Sequence, residues 1–296
     1  MSCKIFLVTG ATGFIGSAAV RALADGGGEV HGVSASGRPG PAGVVMHRCD
    51  LLGDDAVAAL LTRVAPTHLV HCAWDVSHGA YWTAPANLAW LASGVRMLQL
   101  FFNGGGQRAV GIGSCAEYAW TEALYTEGHS ATEPATPYGR CKLALCEAYE
   151  AARLMGASTA WARLFFPYGP GDAEARFLPS LVRNLREARP FDTTFGTQRR
   201  DLIHIDDVGA AIAALARSSV VGPVNIGTGT GPALREVALE AARALGADPA
   251  LLRFGAIPMR HGDPAVLLAS TTRLSDEVGF RPRIAWQQGV ARFAIG

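Results

Sequence analysis

The stretch KIFLVTGATGFIGSAAVRAL, Lys4 to Leu23, constrains the fold more than any other. An apolar run enters a loop with glycines at 10, 13 and 16, and an amphipathic helical pattern leaves it. Strands buried on both faces read as such runs, and a following helix supplies the crossover that parallel pairing needs. The loop has the chemistry of a pyrophosphate cradle. Gly10 permits a sharp turn, Gly13 lets the main chain approach phosphate, and Gly16 permits close packing of helix on strand. The helix N-terminus adds free N–H groups and the positive end of a dipole. Thr12, Phe14 and Ile15 complete the loop. The alternative, an ordinary glycine turn, fits the flanking strand and helix less well.

Short apolar runs then alternate with helical patterns. Strands are expected at Lys4–Thr9, Glu29–Ser34, Val44–Cys49, His68–Cys72, Ala109–Ser114 and Ser158–Phe165. Helices are expected near Gly13–Asp25, Asp54–Val64, Ala86–Asn103 and Pro137–Met155. This rhythm predicts an α/β, doubly wound parallel sheet. It breaks after Phe165. Turn-rich PYGPGD leads to a helix at Phe177–Ala188, strands near Phe191–Phe195 and Asp201–His204, and helices at Asp206–Ala216 and Ala233–Leu245, before a proline-broken end. Residues 1–165 thus read as a dinucleotide-binding domain. Residues 166–296 read as a smaller C-terminal α/β substrate-binding region, with elements near 198–226 returning to the first sheet.

The net charge is +1 and no basic tract occurs, so neither nucleic acid nor an anionic membrane surface is an expected partner. No apolar run reaches membrane-spanning length. The six scattered cysteines form no C-x-x-C pair and have no zinc spacing, so they read as reduced thiols of a cytoplasmic protein without a metal site.

The second strand ends EVHGVSASGR. Proteins that select NAD place an acidic residue here for the ribose 2′-hydroxyl. This chain offers Ser34 and Arg38, with no carboxylate before Asp50. A hydroxyl and a guanidinium suit a 2′-phosphate, which predicts NADP(H), with Arg38 as a solvated loop charge the alternative. Asp50, followed by Leu51, ends the third strand, where it either reaches the adenine or caps a helix.

Tyr138 and Lys142 form Y-x-x-x-K on one helix face, with Pro137 in the first turn. A lysine ammonium beside a phenol favours the phenolate, making the tyrosine a usable acid and base. Ser114 ends the fifth strand at the carboxyl edge, where ligands bind in such sheets. It can hydrogen-bond a substrate oxygen beside Tyr138, or it can cap a turn.

Together, Gly10, Gly13, Gly16, Asp50, Ser114, Tyr138 and Lys142 resemble the extended branch of the short-chain dehydrogenase/reductase family, whose fold is of Rossmann type. RLFFPYGPGD, RRDLIHIDDVGAAI, VNIGTG, RHGDP and VGFRP resemble later motifs of that branch, so the likeness spans the whole chain. It implies hydride transfer on a nucleotide-linked sugar or related carbonyl substrate. It places Leu51, Ala73 and Phe165 at the cofactor beside the residues above, with Lys142 on the nicotinamide ribose. Arg200 and Arg260 match residues that grip a nucleotide diphosphate, surface ion pairs being the alternative. A homodimer through Ala86–Asn103 and Pro137–Met155 is also implied.

Departures narrow the reaction. Sugar 4,6-dehydratases follow the serine or threonine with Asp-Glu, whereas here Cys115 and Ala116 follow. GSCAEYAW looks like segments of nucleotide-4-keto-6-deoxysugar reductases. Trp74 stands where the family has a small residue, and Phe166 replaces an asparagine, which suggests an aromatic substrate pocket or simple packing. Trp74, Cys115, Glu117 and Phe166 are therefore candidate substrate contacts, with Glu117 alternatively a solvated loop charge. The expected activity is NADPH-dependent reduction of a nucleotide-linked 4-keto-6-deoxy sugar. NAD-dependent epimerisation of a nucleotide sugar, or NADPH-dependent reduction of a non-sugar ketone, are the alternatives. A cofactor sensor without turnover fits poorly, because Ser114, Tyr138 and Lys142 are all present.

Overall fold

The structure, a computed structural model, describes residues 4–77, 79–260 and 262–296. Cys3 and His261, on which parts of the sequence reading fall, lie outside the described residues. The first half runs β1 (Ile5–Thr9), α1 (Phe14–Asp25), β2 (Glu29–Ser34), β3 (Val44–Arg48), α2 (Asp54–Val64), β4 (His68–His71), α3 (Ala86–Asn103), β5 (Arg108–Ser114), β6 (Leu124–Tyr125), α4 (Pro137–Leu154) and β7 (Ser158–Leu164). The second runs β8 (Phe166–Tyr168), α5 (Phe177–Arg186), β9 (Phe191–Thr193), β10 (Arg199–Arg200), β11 (Leu202–His204), α6 (Ile205–Arg217), β12 (Gly222–Ile226), α7 (Leu234–Leu245), β13 (Leu252–Phe254), β14 (Val266–Ala269) and α8 (Trp286–Ile295).

Seven parallel strands form the central sheet in the order β12-β7-β5-β4-β1-β2-β3. The order reverses between β1 and β4, and a ligand crevice opens at such a switch point, outside the carboxyl ends of the strands. Side-chain alternation sorts the two cores. Phe6 and Val8 of β1 face α1 and α6, packing with Val20, Leu23, Val208 and Ile212. Leu7 faces the other way, into a core with Leu69, Met97, Phe101, Leu145, Tyr149 and Trp161. Gly209 lets α6 touch α1, since a Cβ there would lie 2.5 Å from the Ala18 carbonyl oxygen.

The remaining elements form a smaller core, with α5, α7 and α8 packed around Leu181, Val237 and Val290. Of three small sheets, β11-β8 and β13-β9 lie within the second half, and β10-β14-β6 joins it to the first half beneath the site. β12 and α8 were not expected as elements. GPVNI carries a glycine and a proline in a five-residue strand, and α8 follows the proline-rich RPRIAW too closely for a clear helical period.

Candidate active site

The glycine loop sits at the switch point. Gly10 has φ of +64°, and a Cβ on it would lie 2.9 Å from the Ala73 Cα, so only glycine lets β1 turn against the exit of β4. A Cβ on Gly16 would lie 2.1 Å from the Gly10 carbonyl oxygen, so α1 is seated directly on the loop. Gly13 caps α1 without a side-chain hydrogen bond, which leaves the first N–H groups of the helix open. Those features fit a dinucleotide pyrophosphate. Phe14 and Ile15 pack against the core under the loop.

At the end of β2, hydroxyls gather. The Thr12 and Ser34 hydroxyls lie 2.9 Å apart, as do those of Ser34 and Ser36. Arg38 is exposed on the loop beyond, and the stem of Arg48 lies beside Gly37. Asp50 is exposed, and its Oδ1 accepts from the Leu52 N–H at 3.0 Å. The Leu51 side chain is buried, and its carbonyl accepts from Ser93.

Ser114, Tyr138 and Lys142 meet at the carboxyl end of β5. Thr136 caps α4 by accepting from the Gly139 N–H at 3.1 Å, and Pro137 opens the helix. A Cβ on Gly139 would lie 2.3 Å from the Ala116 carbonyl oxygen, so glycine lets α4 press on the turn after Ser114. That contact sets Tyr138 near the Ser114 side chain, whose Oγ accepts from the Ala116 N–H at 3.2 Å. Burial pushes the Tyr138 phenol above its ordinary range, Tyr81 adds to the shift, and Ser114 opposes it.

Lys142 departs from the sequence expectation. It was expected to favour the phenolate, but its Nζ donates to the Ile112 carbonyl at 2.9 Å and lies 3.9 Å from the Trp74 ring centroid. Burial lowers its pKa to about 7, with Glu117 and Cys72 opposing. The phenol is therefore held in its neutral form.

Glu117 is the plainest correction. It is neither a substrate contact nor a solvated charge, because its side chain is wholly buried (0% exposed). It accepts from the Ser114 N–H at 2.7 Å, the Arg163 Nε at 2.8 Å and the Trp161 indole at 3.0 Å. It thus fixes the turn carrying Ser114 from behind. Cys115 is buried too, its thiol pushed to about 12 by desolvation.

Arg200 is committed as well. It is 6% exposed, pairs with Asp263 at 2.6 Å, and donates to the Pro264 and Arg199 carbonyls. Its guanidinium lies over the half-buried Phe166 ring, 5.6 Å from the centroid. Few of its donors remain for a diphosphate. The Phe165 side chain is buried with Tyr118, Tyr125 and Leu267 below the site. Arg260 is exposed, and its charge and that of Arg176 both act on the Tyr81 phenol, which burial raises to about 12. Arg176 escaped the sequence reading because no motif marks it.

The sequence suggests an aromatic pocket from Trp74 and Phe166; in the structure an aromatic wall is formed by Tyr81, Trp82 and Trp120. Tyr81 and Trp82 stack at 4.6 Å and present their edges to Tyr138 at 4.9 and 5.6 Å. Trp120 meets Trp82 edge-on at 6.4 Å, and the Tyr138 N–H donates to the Trp82 carbonyl at 3.1 Å. These residues lie in loops, where no periodicity points to a common surface. Among the described residues, no cluster of three or more potential metal ligands occurs, no helix is long and apolar enough to cross a membrane, and the five cysteines are free.

Comparison with known proteins agrees with this geometry. Residues 6–227 match the model of the NAD dependent epimerase/dehydratase family. The chain is 27% identical to a UDP-glucose 4-epimerase of Streptomyces lividans over 94% of its length and 91% of that protein. It is 30% identical to CDP-abequose synthase of Salmonella typhimurium, over 43% of this chain and 44% of that one. Its fold overlays MoeE5 in complex with UDP-glucose and NAD with a TM-score of 0.83, at 28% identity, covering 98% of this chain and 97% of that one. With the glycine loop, the switch-point crevice and the match over 6–227, the chain belongs to the NAD dependent epimerase/dehydratase family.

Proposed function

We propose that this enzyme is an NADPH-dependent reductase of a nucleotide-linked 4-keto-6-deoxy sugar. The observation that carries the reading is the hydroxyl corner at the end of β2. Thr12, Ser34 and Ser36 share hydrogen bonds there, Arg38 and Arg48 flank them, and between Ser34 and Asp50 no side chain carries a carboxylate for a ribose 2′-hydroxyl. Such a corner suits a 2′-phosphate. An enzyme that consumes NADPH carries out net reduction, not internal epimerisation.

The bound nicotinamide supplies the hydride; the side chains supply the rest. Burial keeps Tyr138 neutral, so it can donate its proton to a carbonyl oxygen that gains charge. Ser114, held by Glu117, supplies a second donor to that oxygen. Dehydration lacks its groups, because Cys115 and Ala116 follow Ser114 and Glu117 is locked to Arg163. Exposed Arg260 is the candidate for a diphosphate, Arg176 being paired with Asp172 at 3.4 Å, and the wall of Tyr81, Trp82 and Trp120 offers apolar surface to a sugar with few hydroxyls. The CDP-abequose synthase match also supports a deoxysugar nucleotide.

Epimerisation is the second reading, and the UDP-glucose 4-epimerase relative favours it. Two assays separate them. With NADPH and a nucleotide-linked 4-keto-6-deoxyhexose, the reductase loses reduced-nicotinamide absorbance in step with alcohol formed. An epimerase interconverts UDP-glucose and UDP-galactose with no such loss. For the cofactor, Arg38→Ala weakens NADPH binding about 10- to 100-fold, as loss of a charged hydrogen bond implies, and leaves NADH within twofold. Tighter binding of NADH than NADPH by the unaltered enzyme sinks the assignment.

A homodimer through α3 and α4 belongs to the same reading. Leu88 and Val95, seven residues apart on α3, are both exposed, as are Leu154 and Met155 at the end of α4. Val95→Glu is expected to turn a dimer into a monomer by light scattering. An unaltered protein that is already monomeric at micromolar concentration refutes the dimer.

A further inference from the structure

The ammonium of Lys142 is buried, yet among the described residues no carboxylate is bonded to it. Buried charges are ordinarily paired. The titratable groups that face it from the packed elements are Glu117 after β5, His71 and Cys72 at the end of β4, and Tyr138 on its own helix. Glu117 is spent on Arg163, Trp161 and the Ser114 N–H. His71 is kept neutral by burial, and its Nδ1 bonds the Thr9 hydroxyl at 2.8 Å. Cys72 is held as the thiol, its pKa raised to about 12 by burial. What remains is the Ile112 carbonyl and the face of Trp74.

Trp74 is anchored. Its indole N–H donates to Asn87 Oδ1 at 2.9 Å, and the buried Asn87 amide donates to the Tyr81 and Ala84 carbonyls at 2.7 and 2.9 Å. The indole also sets its edge on Tyr138, with centroids 6.2 Å apart. One rigid ring therefore touches both members of the Y-x-x-x-K pair.

We propose that Trp74 is a positioning residue for Lys142, its Asn87-anchored indole serving as the partner that keeps the buried ammonium charged and aimed across the site beside Tyr138. The negative face of an indole stabilises a cation most when water is excluded. A small residue in its place leaves the ammonium with a single carbonyl. The inference concerns the cofactor-free protein and holds for either reaction above.

The chain makes a clean test possible, because Lys4 and Lys142 are its two lysines. Protein labelled with carbon-13 at lysine Cε gives two side-chain signals, one of them from exposed Lys4. In the unaltered protein, the indole ring current is expected to displace the Lys142 Hε signals upfield of those of Lys4. In Trp74→Leu, the Lys142 titration midpoint is expected to fall by about half a unit to one unit, while Trp74→Phe restores most of it. Dinucleotide affinity, read by calorimetry with NADPH, is expected to weaken three- to tenfold in Trp74→Leu. Absence of the upfield shift in the unaltered protein overturns the proposal without any variant. So does an unmoved midpoint in folded Trp74→Leu, or tighter NADPH binding by it, which would mark the indole as an obstruction. Failure of NADPH to be consumed with any keto-sugar would overturn the reductase assignment alone.

Discussion

Tyr138→Phe is expected to lower kcat about 10²- to 10⁴-fold, the range that a positioned proton donor contributes. The substitution is clean. The ring keeps its edge contacts with Trp74, Tyr81 and Trp82, and only the hydroxyl is lost. NADPH affinity is accordingly expected to stay within a few-fold, so the loss falls on kcat and not on cofactor binding. Single-turnover oxidation of NADPH with saturating keto-sugar measures it, and activity within tenfold of the unaltered enzyme removes Tyr138 from the chemistry. The pH profile adds an independent check. Reduction needs the neutral phenol, which is present below its pKa and lost above it. Burial holds that pKa above the ordinary range, so Tyr138 contributes no loss of kcat between pH 6 and 9. Lys142 behaves otherwise. Its charge is present below about pH 7 and lost as pH rises through that value in the cofactor-free enzyme. The kcat/KM for NADPH, which reports the free enzyme, is therefore expected to decline above about pH 7 while kcat stays level.

The sheet was legible because its signals are local. A buried strand, a glycine loop and an amphipathic helix each declare themselves within a dozen residues, and Tyr138 and Lys142 share a helix face through spacing alone. What escaped notice depends on contacts between distant segments. Nothing near Glu117 shows that Trp161 and Arg163, 44 and 46 residues on, enclose it. Glutamate after a strand reads as a loop charge until that pair is seen. Arg200 likewise reads as a phosphate ligand until Asp263, 63 residues later, is found against it. Lys142 has the expected helix position but a direction set by Trp74, a residue outside its helix. Spacing within one element is written in the sequence; the partner that a charged side chain chooses is written in the tertiary fold.

Glu117 turns that difference into the largest expected effect on stability. The Glu117–Arg163 pair has side chains 0% and 3% exposed, and it spans the turn after β5 and the neighbouring strand β7. Around it, Arg163 also donates to the Tyr118 hydroxyl at 3.0 Å, and Tyr118 donates to Asn225 Oδ1 at 2.8 Å, so the network reaches β12. Glu117→Ala leaves a guanidinium, an indole N–H and the Ser114 N–H buried without their acceptor. Breaking a buried pair from one side costs about 3–5 kcal/mol, which lowers the thermal midpoint by on the order of 10 °C for a chain of this size. Because Ser114 loses its anchor, kcat is expected to fall as well, with little change in the affinity of substrate. A glutamate that contacted substrate would give the opposite pattern, an increase in KM at unchanged stability. Glu117→Leu combined with Arg163→Met removes both charges, and it is expected to recover much of the stability lost in either single variant, because no uncompensated charge remains. Calorimetric scans of the four proteins decide the matter. Additive losses in the double variant would mean that the two side chains stabilise the fold independently.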